Sequence, residues 1–205
     1  MEAARREEQP VLAPEELARQ SVYAFLARTL AAPPTVQDAI SITPLAGNDT
    51  ALGVAFVEFA KAFENEDRET VEREYHDLFI GVGRGELLPY GSYYLTGFLH
   101  EKPLADLRRD HERLGIARAE GVSEPEDHIA SLCETMALLI DGTATGEFSI
   151  YDQEAFFRTH IQPWAEKFFD DLSNAETARL YSAIGGIGGI FMTVEEDGFR
   201  LLERA

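Results

Sequence analysis

Asp127 and His128 are adjacent side chains that could exchange protons, and they lie in a stretch whose pattern predicts the start of a helix. Residues 123–140 begin with Ser123, a good N-cap, and Glu126 three positions later would complete a capping box. Apolar residues then recur at helical spacing and predict a buried face. At ~100° per residue, His128 falls at the rim of that face and Asp127 turns away from it. The pair is therefore either a dipole-stabilising carboxylate beside a rim histidine or the acid–base pair of a small-molecule enzyme.

The remaining candidate ligands and nucleophiles argue against several kinds of catalysis. None of the five histidines follows a glutamate by three positions, so the Glu-x-x-His motif of di-iron bundles is absent, and no HExxH zinc motif occurs. There is no GxSxG nucleophile elbow. Cys133 is the only cysteine, so it allows no intrachain disulfide, and we expect it to be a buried, inert thiol. We predict no catalytic residue, no metal site and no cofactor.

Two glycine clusters and one tyrosine cluster stand out. Residues 81–85, GVGRG, could cradle a phosphate, but no Lys-Ser/Thr pair follows and no strand precedes them, so a flexible connector is the other interpretation. Residues 89–94, PYGSYY, predict either a partly exposed aromatic wall or core packing. Four glycines within 185–189 should cost a helix roughly 1 kcal/mol each relative to alanine. Close approach of another helix, or a break, would explain them.

Composition limits the kind of partner. The 205-residue chain carries 18 Lys and Arg against 37 Asp and Glu, a net charge of −19. Such acidity argues against nucleic acid and suits either a basic partner or simple solubility. No apolar run approaches the ~20 residues that span a membrane, and the first ten residues, MEAARREEQP, do not resemble a signal peptide. The single cysteine suits the reducing cytoplasm.

The elements that position these residues are all predicted to be helical. Few stretches alternate as strands do, and apolar residues recur at helical spacing through most of the chain. We therefore predict an all-α fold of eight to ten helices in one domain, residues 14–194, between a mobile tail at 1–13 and a loose tail at 195–205. Helices are expected at 14–30, 51–63, 68–79, 103–114, 123–140, 152–160 and 175–194, with a short turn at 35–42 and a further helix starting at 162–164.

The string EPEDH at 124–128 resembles the EPxDH signature of the TorD/DmsD/NarJ-type chaperones for molybdopterin oxidoreductases. Further similarities run from about residue 13 to residue 194. They include EYHDLF at 74–79 leading into the glycine loop, LPY at 88–90, and His160-x-x-Pro163-Trp164.

The resemblance implies a cytoplasmic, all-helical, non-enzymatic chaperone. Such proteins bind the twin-arginine signal peptide of a molybdopterin oxidoreductase precursor and hold back export until the cofactor is inserted. The partners implied are that peptide and the apo-form of the enzyme subunit, with no nucleic acid and no stable membrane insertion. The protein itself would be a monomer or a domain-swapped homodimer, and weak guanine-nucleotide binding is a feature of the family.

The family's peptide-binding surface, carried over to this sequence, would comprise Leu78, Phe79, Pro89, Tyr90, Ser92, Tyr93, Glu124, Asp127 and His128. Tyr90 departs from relatives that have tryptophan, and the glycines at 185–189 are not a family feature. The physical chemistry agrees with such a ligand. An acidic protein attracts the basic start of the peptide, and aromatic walls can hold its apolar stretch. Asp127 would pair with an arginine or amide, and His128 would orient Asp127 or donate a hydrogen bond.

Overall fold

The computed structural model of the chain describes residues 12–47, 49–118, 124–145 and 147–202. Within these ranges there are ten α-helices and no β-strand, which confirms the predicted all-α fold. Residues 1–11 of the predicted N-terminal tail lie outside the described residues. The helices are α1 (Pro14–Ala31), α2 (Val36–Ser41), α3 (Ala51–Glu64), α4 (Arg68–Tyr75), α5 (Gly91–Thr96), α6 (Lys102–Leu114), α7 (Ile129–Thr145), α8 (Ile150–Phe156), α9 (Ala165–Ser173) and α10 (Leu180–Leu202).

Helix α7 runs through the centre of the fold. It packs most extensively against α1, while α10 packs against α9 and α3. The apolar face predicted for α7 is fully buried, and its members are Ile129, Leu132, Met136, Leu139 and Ile140. Cys133 is buried among them, and burial raises the pKa of its thiol, so it is the inert side chain that the sequence predicted.

The start of α7 differs from the prediction. Ser123 lies outside the described residues, and 124–128 are not helical. They form instead a turn, in which the His128 N–H donates to the Pro125 carbonyl at 3.2 Å, and the backbone after the turn pairs with the chain before α5 through an isolated antiparallel bridge between Tyr90 and His128. The Gly91 N–H donates to the Asp127 carbonyl at 2.9 Å, and the Ile129 N–H donates to the Pro89 carbonyl at 2.9 Å. Because helical rotation does not apply there, the expectation that Asp127 turns away from the core is wrong: only 3% of its surface is exposed.

The end of α7 also lies beyond the predicted end, which was near residues 141–142. The helix continues past Gly142 to Thr145. A Cβ at Gly142 would overlap the ring of Phe148, so the glycine that suggested a helix end instead admits an aromatic side chain against the helix.

Helix α10 begins and ends later than predicted. Its start is capped by a residue distant in sequence, Glu74 of α4, whose carboxylate accepts the backbone N–H groups at the helix start. These come from Arg179 at 2.7 Å, Leu180 at 3.2 Å and Tyr181 at 2.8 Å. A buried carboxylate at a helix N-terminus satisfies donors that the helix itself cannot. No local pattern reveals this cap.

The predicted tail at 195–205 is wrong for residues 195–202, which form the last turns of α10. Glu195 and Phe199 are buried there. The Arg19 guanidinium donates two hydrogen bonds to Glu195, at 2.7 and 2.8 Å, and lies over the Phe199 ring. The Tyr23 hydroxyl donates to the same carboxylate at 2.9 Å. A charged segment that resembled a tail is thus held in place by α1.

Two predicted helices end in a wider π-helical turn. Residues His76–Ile80 follow α4, and residues Phe157–Ile161 follow α8. Such turns often occur at functional sites. Here the first carries Leu78 and Phe79, and the second carries His160. Helix α5 was not predicted as a helix, because its tyrosines gave only the pattern of an aromatic wall.

Candidate functional site

The extended pairing between residues 89–91 and 127–129 is the frame of the site. We call it the bridge. It brings Tyr90 beside His128, with ring centroids 5.2 Å apart and planes nearly perpendicular. The Tyr90 hydroxyl donates a hydrogen bond to the Glu124 carboxylate. Partial burial and that carboxylate raise the pKa of Tyr90, so the phenol stays protonated and remains a donor.

Asp127 uses one carboxylate oxygen to hold α5. Its Oδ2 accepts the Ser92 N–H at 2.7 Å, as an N-cap side chain would. Its Oδ1 is buried and has no hydrogen-bond partner among the described residues. The Ser92 hydroxyl is likewise buried and unpartnered within that part of the chain. A buried charged oxygen without a partner is costly, and native proteins seldom leave one without a role.

His128 is 7% exposed and is held by the start of α7. Its Nδ1 accepts the Ala130 N–H at 3.1 Å, so the neutral ring carries its proton on Nε2. Burial lowers its pKa to about 4. Asp127 and His128 thus each accept a different backbone N–H. They do not form the hydrogen-bonded couple that an acid–base pair requires, which disfavours the small-molecule enzyme as an interpretation.

We expect acid to destabilise the fold through His128. Its pKa is about 4 in the folded chain, against 6.5 for an unperturbed imidazole. Between these values the unfolded chain binds a proton that the folded chain rejects, so the free energy of unfolding falls as the pH drops through this window. From pH 7 to pH 5 the loss is about 2 kcal/mol for this side chain.

Urea unfolding of the wild type and of His128→Gln at the two pH values measures this effect. The variant should lose about 2 kcal/mol less over the interval. His76→Gln, at an exposed histidine, is the matched control and should behave as the wild type does. The same pH dependence in all three proteins would contradict the assignment to His128.

The π-helical turn after α4 supplies a second part of the site. Leu78 is fully buried, whereas Phe79 is half-buried between Tyr75 and Tyr181, with ring centroids 5.2 and 5.4 Å away. Burial and, to a smaller extent, the charge of Glu124 raise the pKa of Tyr75, so its phenol stays protonated. The partly exposed rings of Tyr75, Phe79 and Tyr90 are called the aromatic surface below.

Residues 81–85 form a tight connector. A Cβ at Gly81 would overlap the Arg84 carbonyl, and a Cβ at Gly85 would lie 2.6 Å from the Leu78 carbonyl oxygen. Gly81 also has a positive φ of 61°. The backbone geometry therefore requires these glycines, with no need for a phosphate. Arg84 lies over the Tyr93 ring and donates to its hydroxyl at 2.9 Å, so the connector also orients Tyr93.

The nine residues expected to bind peptide divide into two groups. Glu124 is exposed and three aromatic residues are half-buried, whereas the rest lie beneath the surface and support it. The accessible members are Phe79, Tyr90, Tyr93 and Glu124, and the buried members are Leu78, Pro89, Ser92, Asp127 and His128.

The sequence interpretation missed a recess that is lined by Asp127 but not by Tyr90 or His128. Asp127 is part of it, together with residues that come from four separate segments. The only sequence feature that involved this recess was the similarity to the family at His160 and Trp164. The recess is lined by Gly91, Leu95, Pro103, Asp106, Leu107, Asp127, Leu132, Thr159, His160 and Trp164.

None of the helices in the described ranges is both long enough and apolar enough to cross a membrane.

Comparison with known proteins identifies the family to which the chain is similar. A family model described as nitrate reductase delta subunit matches residues 45–170. The chain is 27% identical over 151 residues to the chaperone protein TorD of Aliivibrio fischeri, covering 69% of this chain and 70% of that protein. It is 28% identical over 138 residues to a Vibrio cholerae chaperone protein TorD, and this match covers 62% of this chain and 63% of that protein. These relatives are named as chaperones, not as enzymes.

The fold has a counterpart among solved structures. An Archaeoglobus fulgidus protein assigned as a redox enzyme maturation protein superposes with a TM-score of 0.58 at 18% identity. The match covers 92% of this chain and 99% of that one, so the likeness of fold extends over nearly the whole molecule. With the family match over residues 45–170 and the TorD relatives, the chain belongs to the nitrate reductase delta subunit family of TorD/NarJ-type redox enzyme maturation chaperones.

Proposed function

We propose that this maturation chaperone binds the twin-arginine signal peptide of a molybdopterin oxidoreductase precursor in the cytoplasm and holds back export until the cofactor is inserted. The observation that carries the proposal is the aromatic surface beside Glu124, in a chain with a net charge of −19. A signal peptide of this kind combines a basic start with an apolar stretch, and this surface offers both complements.

Exposed apolar side chains support an apolar ligand at this place. Ile80 and Val82 are exposed directly after Phe79, although apolar side chains gain nothing from exposure. Tyrosine and phenylalanine rings bury a large area at little cost in side-chain entropy, so they suit an adaptable peptide groove. An apolar peptide helix could lie here as helices do in other hydrophobic grooves.

The charge of the chain supports a basic ligand. At −19 the protein attracts a cationic peptide over distances of about a Debye length, ~8 Å at physiological ionic strength. Such steering raises the association rate more than it slows dissociation. The apo-form of the enzyme subunit is the second partner that we propose, and the chaperone would act as a monomer or domain-swapped homodimer.

We expect the aromatic surface to control dissociation of the peptide. The probe is a synthetic peptide with two adjacent arginines followed by an apolar helix-forming stretch. Phe79→Ala and Tyr90→Ala should each accelerate its dissociation by about 5- to 100-fold, the scale of a lost interface anchor. Tyr151→Ala, which removes an exposed tyrosine from α8, is the matched control and should leave the rate unchanged.

Stopped-flow anisotropy provides both rate constants, and raising the salt concentration separates charge from packing. Higher ionic strength should slow association and leave dissociation nearly constant. If the peptide fails to bind the wild type at low salt, the proposed function is wrong. If it binds but the two variants match the Tyr151 control, the aromatic surface is not the groove.

A further inference from the structure

An open groove lies between the outer faces of α1 and α7. Its volume is about 360 Å³. Side chains that take up little room, among them Ser21, Ala24 and Ala137, line it together with longer polar ones. A groove between two packed helices is the kind of surface into which the side-chain ridge of another helix fits.

The two helices that form the groove are antiparallel. Gln20 lies in the first half of α1, and its amide nitrogen donates to Asp141, in the second half of α7, at 3.1 Å. Because the helices pack extensively against each other, Arg28 of α1 and Glu134 of α7 line the opposite end of the groove. Gln20 and Arg28 are separated by a helical rise of about 12 Å.

The two ends differ in the charge that they offer to a partner. At one end Asp141 is exposed, and it is bonded to a neutral amide, so within the described part of the chain no ion pair neutralises it. At the other end the Arg28 side chain is 46% exposed. Its Nε donates to Asp38 at 2.6 Å and one of its Nη atoms donates to Ser41 at 2.9 Å. A guanidinium has five N–H donors, so Arg28 has donors left for a further acceptor.

A second copy of the chain matches both ends at once. A two-fold axis across the middle of the groove reverses the direction of α1 and α7, so Arg28 of each copy meets Asp141 of the other. The same operation brings Glu134 of each copy to the amide donors of Gln20. Each contact then occurs twice, as the contacts of an isologous interface do. A partner without this symmetry would have to match the two ends separately.

Exposed apolar side chains accompany the groove. Leu138 lines it and is 46% exposed. Leu17 precedes Ser21 by one helical turn on the same face of α1 and is 51% exposed. Ile40, beside the lining residue Ser41 in α2, is 55% exposed. Apolar side chains that cluster near complementary charges mark a surface for protein association, and Leu138 is placed to enter the small-residue centre of a second groove.

We propose that this groove is the interface of a reversible homodimer in which two complete molecules associate face to face. No segment is exchanged, so this dimer differs from a domain-swapped one and dissociates to the monomer on dilution. Each copy has a net charge of −19, and the resulting repulsion opposes association. We therefore expect a dissociation constant on the order of 10 μM. The inference does not rest on the proposed function.

Sedimentation velocity of the full-length protein tests the apolar part of the interface. Concentrations from about 1 to about 500 μM bracket the expected constant, and the wild type should change reversibly from monomer to dimer. Leu138→Lys should raise the dissociation constant at least about tenfold, because the substitution puts two ammonium groups into one apolar contact. Phe98→Lys is the matched control. It makes the same change in charge at a more exposed apolar residue that does not line the groove, so dimerisation should persist.

A second pair of variants tests the contact between charges. Asp141→Lys puts an ammonium against Arg28 of the other copy and should also weaken the dimer at least about tenfold. The control is Asp170→Lys, in α9. Asp170 is likewise exposed and accepts an amide N–H, from Asn174 at 3.1 Å. Both substitutions reduce the net negative charge equally, so a general loss of repulsion would strengthen both dimers, whereas a specific contact weakens only Asp141→Lys.

Cross-linking shows what covers the groove. A benzophenone amino acid replaces Leu138, and isotopically light and heavy protein are mixed before irradiation. Links between light and heavy chains at residues 17–28 or 134–141 are expected. Links within one chain to residues 1–11 would show that the N-terminal segment covers the groove, and they would overturn the proposal. A wild type that stays monomeric over the whole concentration range, or a dimer that neither Leu138→Lys nor Asp141→Lys weakens, would overturn it as well.

Discussion

Gly185→Ala is expected to destabilise the fold strongly, whereas the same substitution at the next position, Gly186→Ala, is expected to stabilise it. A Cβ at Gly185 would lie 2.5 Å from the Ser173 hydroxyl, 2.7 Å from the Ser173 nitrogen and 3.0 Å from the Phe169 carbonyl oxygen. Two of these are backbone atoms of α9, which cannot move without displacing the helix. A Cβ at Gly186 would meet no atom within 4 Å.

The sizes of the two effects follow from different causes. Overpacking against a helix backbone costs about 1–3 kcal/mol and occasionally more, so Gly185→Ala should lower the melting temperature by roughly 3–12 °C. Replacing an unpacked glycine within a helix gains about 0.5–1 kcal/mol, because alanine loses less backbone entropy on folding. Gly186→Ala should therefore melt higher by roughly 1–4 °C.

Thermal and urea unfolding of the two single variants provide the measurement, and each is the control for the other. They share the residue types, the helix and the change in unfolded-state entropy, so their difference isolates the contact with α9. Shifts of the same sign and size would mean that α9 does not approach α10 at Gly185. Such equal shifts would mean that the glycines affect stability only through their low helix propensity.

Helical periodicity was sufficient to predict most of the fold. The buried face of α7, from Ile129 to Ile140, follows from spacing alone, because an amphipathic stripe must be buried somewhere. The glycine run was likewise recognised as a place of close helix approach, which Gly185 confirms. In both cases the signal lies in the sequence of one helix, although the element that packs against that helix, α9 in the case of Gly185, lies elsewhere in the chain.

The errors arose where a distant residue decides the local structure. Residues 123–126 have the pattern of a capping box, but the backbone of 127–129 pairs with residues 89–91, so α7 begins only at Ile129. The start of α10 depends on Glu74, about a hundred positions earlier, and its end depends on Arg19. Tertiary hydrogen bonds of this kind have no local signature, and they outweigh modest local preferences.

In the candidate site, too, some features could be predicted from the sequence and others depend on contacts between distant residues. Resemblance to a chaperone family indicated Tyr90, Asp127 and His128, and the bridge explains why they occur together. The burial of Asp127 and the recess around it could not be predicted, because the lining residues come from α5, α6, the start of α7 and the segment 159–164. Asp106 in particular resembles any exposed helix carboxylate until the fold places it in the lining of the same recess as Asp127.

Asp127→Asn should nearly abolish binding of the arginine–arginine peptide while leaving the fold close to its normal stability. The asparagine oxygen can still accept the Ser92 N–H and so keep the cap on α5. Its amide group would then take the place of the unpartnered Oδ1 and would be a donor where a cation needs an acceptor. Removing one partner of a buried charge pair costs about 2–5 kcal/mol, or roughly 30- to 5,000-fold in affinity.

Asp127→Ala separates the two oxygens by removing both. It deletes the α5 cap, worth about 0.5–2 kcal/mol, so it should melt several degrees below Asp127→Asn as well as bind poorly. Asp197→Asn, on the exposed surface of α10, should match the wild type in both measurements. Melting curves therefore measure the contribution of Oδ2 to the α5 cap, and peptide titrations measure the contribution of Oδ1 to binding.

Three peptides decide whether the carboxylate of Asp127 meets an arginine. Asp127→Asn should weaken binding of the arginine–arginine peptide far more than binding of its lysine–lysine or glutamine–glutamine variants, because a guanidinium donates several hydrogen bonds in fixed directions to a carboxylate, whereas an ammonium is a compact, strongly hydrated charge. If the variant binds all three peptides equally less well and also melts early, Asp127 is only the structural cap of α5. If it melts normally and discriminates among the peptides, the buried Oδ1, which has no partner within the described part of the chain, is kept for the ligand. The stability that the free chaperone lacks is then recovered when the arginine binds.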